Sequence, residues 1–338
     1  MTIKPDLSPC KSNFNVVAVL SCILVSGTSF TGFGADIQAP TPRLRAEVQA
    51  VLAKAPQPPT DDELRMLHIV LLADVKDHGP GEHDYPLWQQ RWALLLGGAQ
   101  AAEKSKSQVN LYGPAYESDR QETMAGAAKV KVTTAWQWPD NKQLESADLI
   151  VMHCYRSGGA RRTWSEQRMK QLETYLSRGG GFAVIHPATY TFRDLSQPGG
   201  DRVASLTGLA FDKSTIVRHG QMKLTVVASD HPICLGLPET FNLVDEPYWP
   251  PQGDLDQVAV LATSAESIPR GSDNVRPQPM FWTARHGKGR IFACVPGHFT
   301  WTFDDPYFRI LLLRGMAWAA GQSVYRFDPL VTRGIPLR

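Results

Sequence analysis

Cysteine is scarce and poorly placed for cross-linking. Of the five in 338 residues, Cys10 and Cys22 lie near the start, and Cys154, Cys234 and Cys294 each sit in or beside an apolar run. That pattern makes no disulfide framework and reads as small buried hydrophobes. An excess of either charge is also lacking. Thirty-five Lys and Arg against thirty-three Asp and Glu leave a net charge of +2. No basic field invites nucleic acid, and no acidic one makes a solvating tail. Past the N-terminus no apolar run is long enough to span a bilayer, and no segment recurs at a fixed period. Short catalytic signatures are missing as well: there is no H-E-x-x-H, C-x-x-C, G-x-S-x-G or P-loop. The glycines at Gly179–Gly181 precede a strand instead of opening a helix, so no dinucleotide fingerprint and no nucleotide cofactor is expected.

What is present is globular: 43% hydrophobic and 20% charged residues. Lys4 and Lys11 precede "NVVAVLSCILVSG", and small residues then run to "GFGA" at Gly32–Ala35. This is the order of a secretory signal spanning 1–35, so export to the periplasm or beyond is expected. Val19–Cys22 resembles a lipoprotein box, but the apolar run continues past Cys22, which argues against lipidation. Residues 36–63 are rich in Pro and Ala, with one short helix presenting Leu44, Val48, Val51 and Leu52. The main domain is placed at 64–325 and a tail at 326–338.

From Leu67 onward, strands and helices alternate. "LHIVLLA" reads as a buried strand, and a helix follows Pro86 with Trp88, Trp92, Leu95 and Leu96 at helical spacing. Further strands are predicted at Lys129–Trp136, Ala147–Tyr155 and Phe182–His186, with a helix at Trp164–Arg178 ended by glycine. Near-continuous apolar strands fit a parallel sheet covered on both faces. Shorter strands follow, "HGKGR" (His286–Arg290) reads as a hairpin turn, and a helix covers Pro306–Gly321. The expectation is a flavodoxin-like three-layer α/β domain, mostly parallel, with an antiparallel extension.

Ligands of such sheets bind beyond the carboxyl ends of the strands. There the sequence puts Asp77, His78, His83, Asp84 and Tyr85, then His153, Tyr155 and Arg156, then His186, and later Asp245–Glu246 and His298. Each has a plain alternative. His83–Asp84 before a helix fits an N-terminal cap, and His186 fits a hydrogen-bonded strand end.

Four separated blocks go further together than any does alone: "KDHGPGEHDYPLW", "GGGFAVIHPAT", "SDHPICLGLPETFNLVDEPYW" and "HGKGRIFACVPGHFTWTFDDPYFRILLLRGMAWAAG". In this order, over roughly Leu67 to Gly321, they closely resemble the trehalose-utilisation, or ThuA-like, family. That family's fold is similar to the class I glutamine amidotransferase domain. Those enzymes carry a nucleophilic Cys after a strand. The corresponding "FAVIHPAT" here has none, and Cys154 follows a different strand.

The resemblance implies sugar metabolism, with glycosides bearing a keto group as the substrate class. It carries over to His186, Glu246 and His298, and to His78 or His83 in the first loop. His219 is not carried over. Two imidazoles and a carboxylate suit zinc or another divalent metal with an open position. His83 or Asp245 would serve as base. His78, Asp84, Tyr85, Tyr155, Arg156, Trp249 and Trp301 would face a small carbohydrate. Elimination, isomerisation or hydrolysis is the implied chemistry. The alternatives are a non-catalytic sugar-binding protein and a cysteine amidohydrolase using Cys154.

Overall fold

Leucine, isoleucine and valine crowd Leu67–Ala73, and these residues form strand β1, buried at every position. The computed structural model of the chain describes residues 37–98, 125–155, 164–191 and 201–338. The expected signal at 1–35 and Arg156 lie outside the described residues. The remaining strands are β2 (Val130–Trp136), β3 (Leu149–Met152), β4 (Gly181–Ile185), β5 (Ile216–Val217), β6 (Gly220–Val226), β7 (Thr240–Asp245), β8 (Tyr248–Trp249), β9 (Val258–Ser267), β10 (Val275–His286) and β11 (Gly289–Cys294). The main sheet runs in the order β2-β1-β3-β4-β11-β10-β9-β6-β7. From β2 to β11 every pairing is parallel. From β11 to β7 every pairing is antiparallel. The parallel half has flavodoxin-like order, reversing between β1 and β3, and the antiparallel extension was legible in the shorter, alternating strands. β2 is the outer edge, which explains its polar "VKVTT" in contrast to the fully buried β1 and β4.

Helix starts follow local chemistry. α1 (Arg45–Leu52) buries Val48 and Val51. α2 (Tyr85–Gly97) is capped by Asp84, which accepts the Leu87 N–H at 3.2 Å, with Pro86 in the first turn. α3 (Asn141–Ser146), α4 (Glu166–Ser177) and α5 (Asp201–Thr207) follow. α6 (Pro306–Ala319) is capped by Asp305, which accepts from Tyr307 and Phe308 N–H. α2 packs on β1 and β2, while α6 packs on β11, β4 and β3. No helix among the described residues is long and apolar enough to cross a membrane.

The two flanking segments belong to the same packed body. Arg43 reaches Asp305 at 2.8 Å, and the Arg45 N–H donates to the Arg338 carbonyl at 2.7 Å. Residues 326–338, predicted as a tail, bury Phe327 and Val331 completely, and Asp328 pairs with the fully buried Arg314 at 2.8 Å.

Gly315 marks a close approach of α6 to the sheet. A Cβ there would lie 2.3–2.5 Å from the Phe292 ring. Alanine gains about 1 kcal/mol over glycine in a helix interior, whereas forcing a methyl into a filled core costs about 1–3 kcal/mol. Contact at this distance decides the sign. Gly315→Ala is expected to lower the thermal midpoint by several degrees, and a raised midpoint would refute the packing seen here.

Candidate metal centre

β1, β3, β4, β11 and β7 all point their carboxyl ends to one edge of the sheet, as the pairings require. The loops leaving four of these strands bring His83, His186, Glu246 and His298 together, all buried, with their ligand atoms within 4.8 Å of one another. His83 and His186 lie in the left-handed region, at φ 42° and 53°. A non-glycine residue adopts that conformation only where its surroundings over-determine it. For His83 they do. Its N–H donates to the His298 carbonyl at 2.9 Å, and Thr300 N–H donates to the Gly81 carbonyl at 2.8 Å, zipping the first loop to the last. For His186 the tether is its Nδ1 bond to the Val295 carbonyl at 2.6 Å, and Gly297 (φ 139°) leaves the space, since a Cβ there would meet Ile185 at 2.9 Å and His186 Cβ at 3.1 Å.

Hydrogen-bond partners fix the tautomers. His186 Nδ1 can only donate to the Val295 carbonyl at 2.6 Å, so its Nε2 holds a lone pair. His83 Nδ1 faces Asp77 Oδ1 at 2.9 Å. Burial raises the Asp77 carboxyl, but the hydrogen bonds from His83 and His78 outweigh it and set the pKa at about 2. Asp77 is therefore the acceptor, and His83 Nε2 also holds a lone pair. Those two Nε2 atoms are 2.9 Å apart. His298 Nδ1 lies 3.3 Å from His186 Nε2 and 3.0 Å from Glu246 Oε2, and Glu246 Oε2 lies 3.3 Å from His186 Nε2. Burial opposes charge on Glu246, yet the imidazoles of His186, His219 and His298 packed around it hold its carboxyl well below the usual range. Lone pairs and an anion converging this closely repel unless a cation lies among them. Ligands about 2.0–2.2 Å from one ion would stand about 2.8–3.6 Å apart, and the four separations just given fall in that interval, with all ligand atoms of the cluster within 4.8 Å of one another. The residues fit a metal.

Of the expected site residues, the cluster unites His186, Glu246 and His298, and it selects His83 over His78 in the first loop. The base roles change. His83 Nε2 belongs to the convergent set. Asp245 is fully buried and turned from the cluster, accepting from Glu246 N–H at 2.7 Å, Gly297 N–H at 3.1 Å, His298 N–H at 3.1 Å and the Thr302 hydroxyl. Asp84 is the α2 cap. Tyr85 is buried, donates to Asp77 at 3.2 Å and stacks on His83. His78, 39% exposed, also bonds Asp77, at 2.8 Å. Tyr155 lies with its ring 6.4 Å from His83. Trp249 is buried with its indole N–H on the Ser267 carbonyl, and Trp301 donates to Val244 and stacks on Phe299.

Two residues enter that were not among the expected site residues: Tyr248, which went unnamed, and His219, which was not carried over. Tyr248 places its hydroxyl 3.2 Å from His186 Nε2, and His219 bonds Glu246 Oε1 at 2.8 Å while 42% exposed. That bond to Glu246 raises the His219 pKa above its ordinary value. Strand parity was the available signal for Tyr248. Neighbours in β8 face opposite ways, so an indole pointing away puts Tyr248 toward the site. His219 needed the β6–β7 register, which sets Gly220 opposite Asp245.

Burial pushes the His83 pKa down to about 3, against the opposing bond from Asp77, and burial also holds His153 well below its ordinary value. In the unfolded chain both titrate near 6.5. Below that pH the unfolded chain binds protons that the fold refuses, so stability falls as pH drops toward 3. His219 acts oppositely, but it is partly exposed and stands against two. Chelator-treated protein is expected to be most heat-stable above about pH 7 and to lose up to about 1.4 kcal/mol per pH unit per histidine below about 6.5. Melting curves between about pH 4 and 8 check this, and a flat profile counts against it.

No curated protein matches the chain significantly. Among solved structures, a ThuA-like protein from Bacteroides uniformis shares 17% identity, with 80% of this chain and 99% of that one covered and a TM-score of 0.50. A ThuA-like protein from Parabacteroides merdae shares 19% identity, with 77% and 92% covered and a TM-score of 0.47. At such identities the likeness speaks to fold alone. The family described as ThuA, trehalose utilisation, matches residues 83–319, which begin at the first of the convergent histidines and contain the other three members of the cluster. The chain belongs to the ThuA trehalose-utilisation family.

Proposed function

We propose that this protein is an exported enzyme that performs metal-assisted acid–base chemistry on a keto-sugar or glycoside. The observation that carries the reading is the convergence of His83, His186, His298 and Glu246, with Asp77 and the Val295 carbonyl orienting two of the imidazoles from behind. Such outer partners are what metal-binding histidines use to fix their tautomer. Three nitrogens and one carboxylate oxygen suit zinc or manganese. When bound there, a divalent ion supplies Lewis acidity toward a sugar carbonyl and so acidifies the neighbouring C–H.

The chain's own residues then divide the work. Tyr248 O–H, beside His186, donates to an oxygen at the centre; burial, then Glu246, push its pKa well above 10, so it keeps its proton. His219, held by Glu246 and partly open to solvent, carries a proton to the leaving oxygen, and His78, held by Asp77 and also partly exposed, receives one. Family membership brings the sugar class with it, and the N-terminal signal pattern brings export. The thiol alternative gains nothing from the geometry. Cys154 is completely buried, and burial pushes its pKa up, so thiolate is scarce.

The test is metal content of the purified mature protein beside His186→Ala, followed by turnover of 3-keto-glycosides by the loaded form. Near-stoichiometric divalent metal, lost in the variant, with product formed, supports the enzyme. Metal without turnover leaves a sugar-binding protein. No metal after supply of zinc and manganese defeats the reading.

A further inference from the structure

His298 differs from the other imidazoles of the cluster. His83 rests its far nitrogen on Asp77 and His186 rests its own on the Val295 carbonyl, at 2.9 and 2.6 Å. His298 turns Nδ1 inward to Glu246 and His186, and its Nε2 is buried with no hydrogen-bond partner among the described residues. A neutral imidazole that offers a lone pair at Nδ1 must carry its proton at Nε2, and a buried N–H without an acceptor is costly. The Glu82 carboxylate stands 3.8 Å from that nitrogen, just beyond hydrogen-bond reach. Its backbone is pinned by a bridge to Phe299, next to His298, while its side chain is 31% exposed and has room to turn.

We infer that Glu82 is the outer acceptor of His298, closing onto Nε2–H when a cation occupies the Nδ1 side. A cation drawing on the Nδ1 lone pair makes Nε2–H a stronger donor, and a side-chain turn of about 1 Å completes the bond. The loop "KDHGPGEHD" then contributes one inner residue, His83, and the outer carboxylates of two, Asp77 for His83 and Glu82 for His298. Glu82 is a positioning residue. It fixes which nitrogen of His298 faces the centre, and it ties the order of the loop to occupancy of the site. This inference rests on the metal reading above, and the experiment separates the two.

Full-length mature wild type, Glu82→Ala and Glu82→Gln, each stripped with chelator, are titrated with zinc against a chromophoric competitor. Zinc binding is expected to weaken about 10–100-fold in Glu82→Ala and less in Glu82→Gln, whose amide oxygen still accepts without charge. Melting temperatures of the three stripped proteins should agree. In zinc-loaded wild type labelled with 15N-histidine, one Nε2–H resonance should be protected from exchange and should lose that protection in Glu82→Ala. Wild type binding zinc no more tightly than Glu82→Ala overturns the inference and leaves the metal reading standing. Wild type that binds no zinc overturns both. Should Glu82→Ala melt early, the isosteric Glu82→Gln decides: affinity equal to wild type defeats the proposal.

Discussion

Glu246→Gln is expected to release the divalent ion while leaving the fold intact. Glu246 brings the anion to a cluster whose other members are imidazoles, and three histidines hold it ionised against the pull of burial. The amide keeps the shape and one acceptor oxygen but removes the charge. Binding worth about 10–16 kcal/mol in a four-ligand zinc site comes to roughly 3 kcal/mol per ligand, so affinity should fall on the order of 100-fold or more. Turnover should fall with it by orders of magnitude. The stripped protein should melt within a few degrees of stripped wild type, because burying a neutral amide avoids the desolvation that the carboxylate suffers. His219 reports independently. Without the Glu246 charge its pKa should return toward its ordinary value, which histidine NMR titration reads. Retained metal in a folded Glu246→Gln would remove this residue from the centre.

Local chemistry made much of this legible in the sequence, and distance explains the rest. Asp84 and Pro86 announce α2, Asp305 and Pro306 announce α6, and Gly287–Lys288 closes the β10–β11 hairpin where "HGKGR" predicted a turn. These features depend on a few consecutive residues, so one sequence suffices. The β4 strand was placed one residue late, at Phe182–His186 for Gly181–Ile185, because nothing local shows that His186 leaves it in the left-handed region. Room for it is left by Gly297, more than a hundred residues later, where a Cβ would meet Ile185 and His186. His219 reaches Glu246 only through the β6–β7 register, and the choice between His83 and His78 depends on the backbone bond from His83 to His298. The rim of polar residues was readable. Which of them face inward was a question of pairing.

Asp245 gives the sharpest contrast between the role its position suggested and the role its contacts define. As a solvent-facing base it could be neutralised with little effect on stability. In the structure it is 0% exposed, and its carboxylate gathers the N–H groups of Glu246, Gly297 and His298 and the Thr302 hydroxyl. It therefore joins the end of β7 to the loop after β11 and sets the spacing of two cluster members at once. Asp245→Ala leaves these buried donors unanswered, and at about 1–3 kcal/mol for each unsatisfied group the loss should reach at least about 3 kcal/mol. Asp245→Asn should lose less but still substantially, since its NH2 must face a donor. Urea unfolding should show a lowered midpoint with unchanged slope for both. Zinc affinity should fall together with stability, because Glu246 and His298 lose their common anchor. A variant at Asp245 that keeps full stability and loses only turnover would restore the base and refute the clamp.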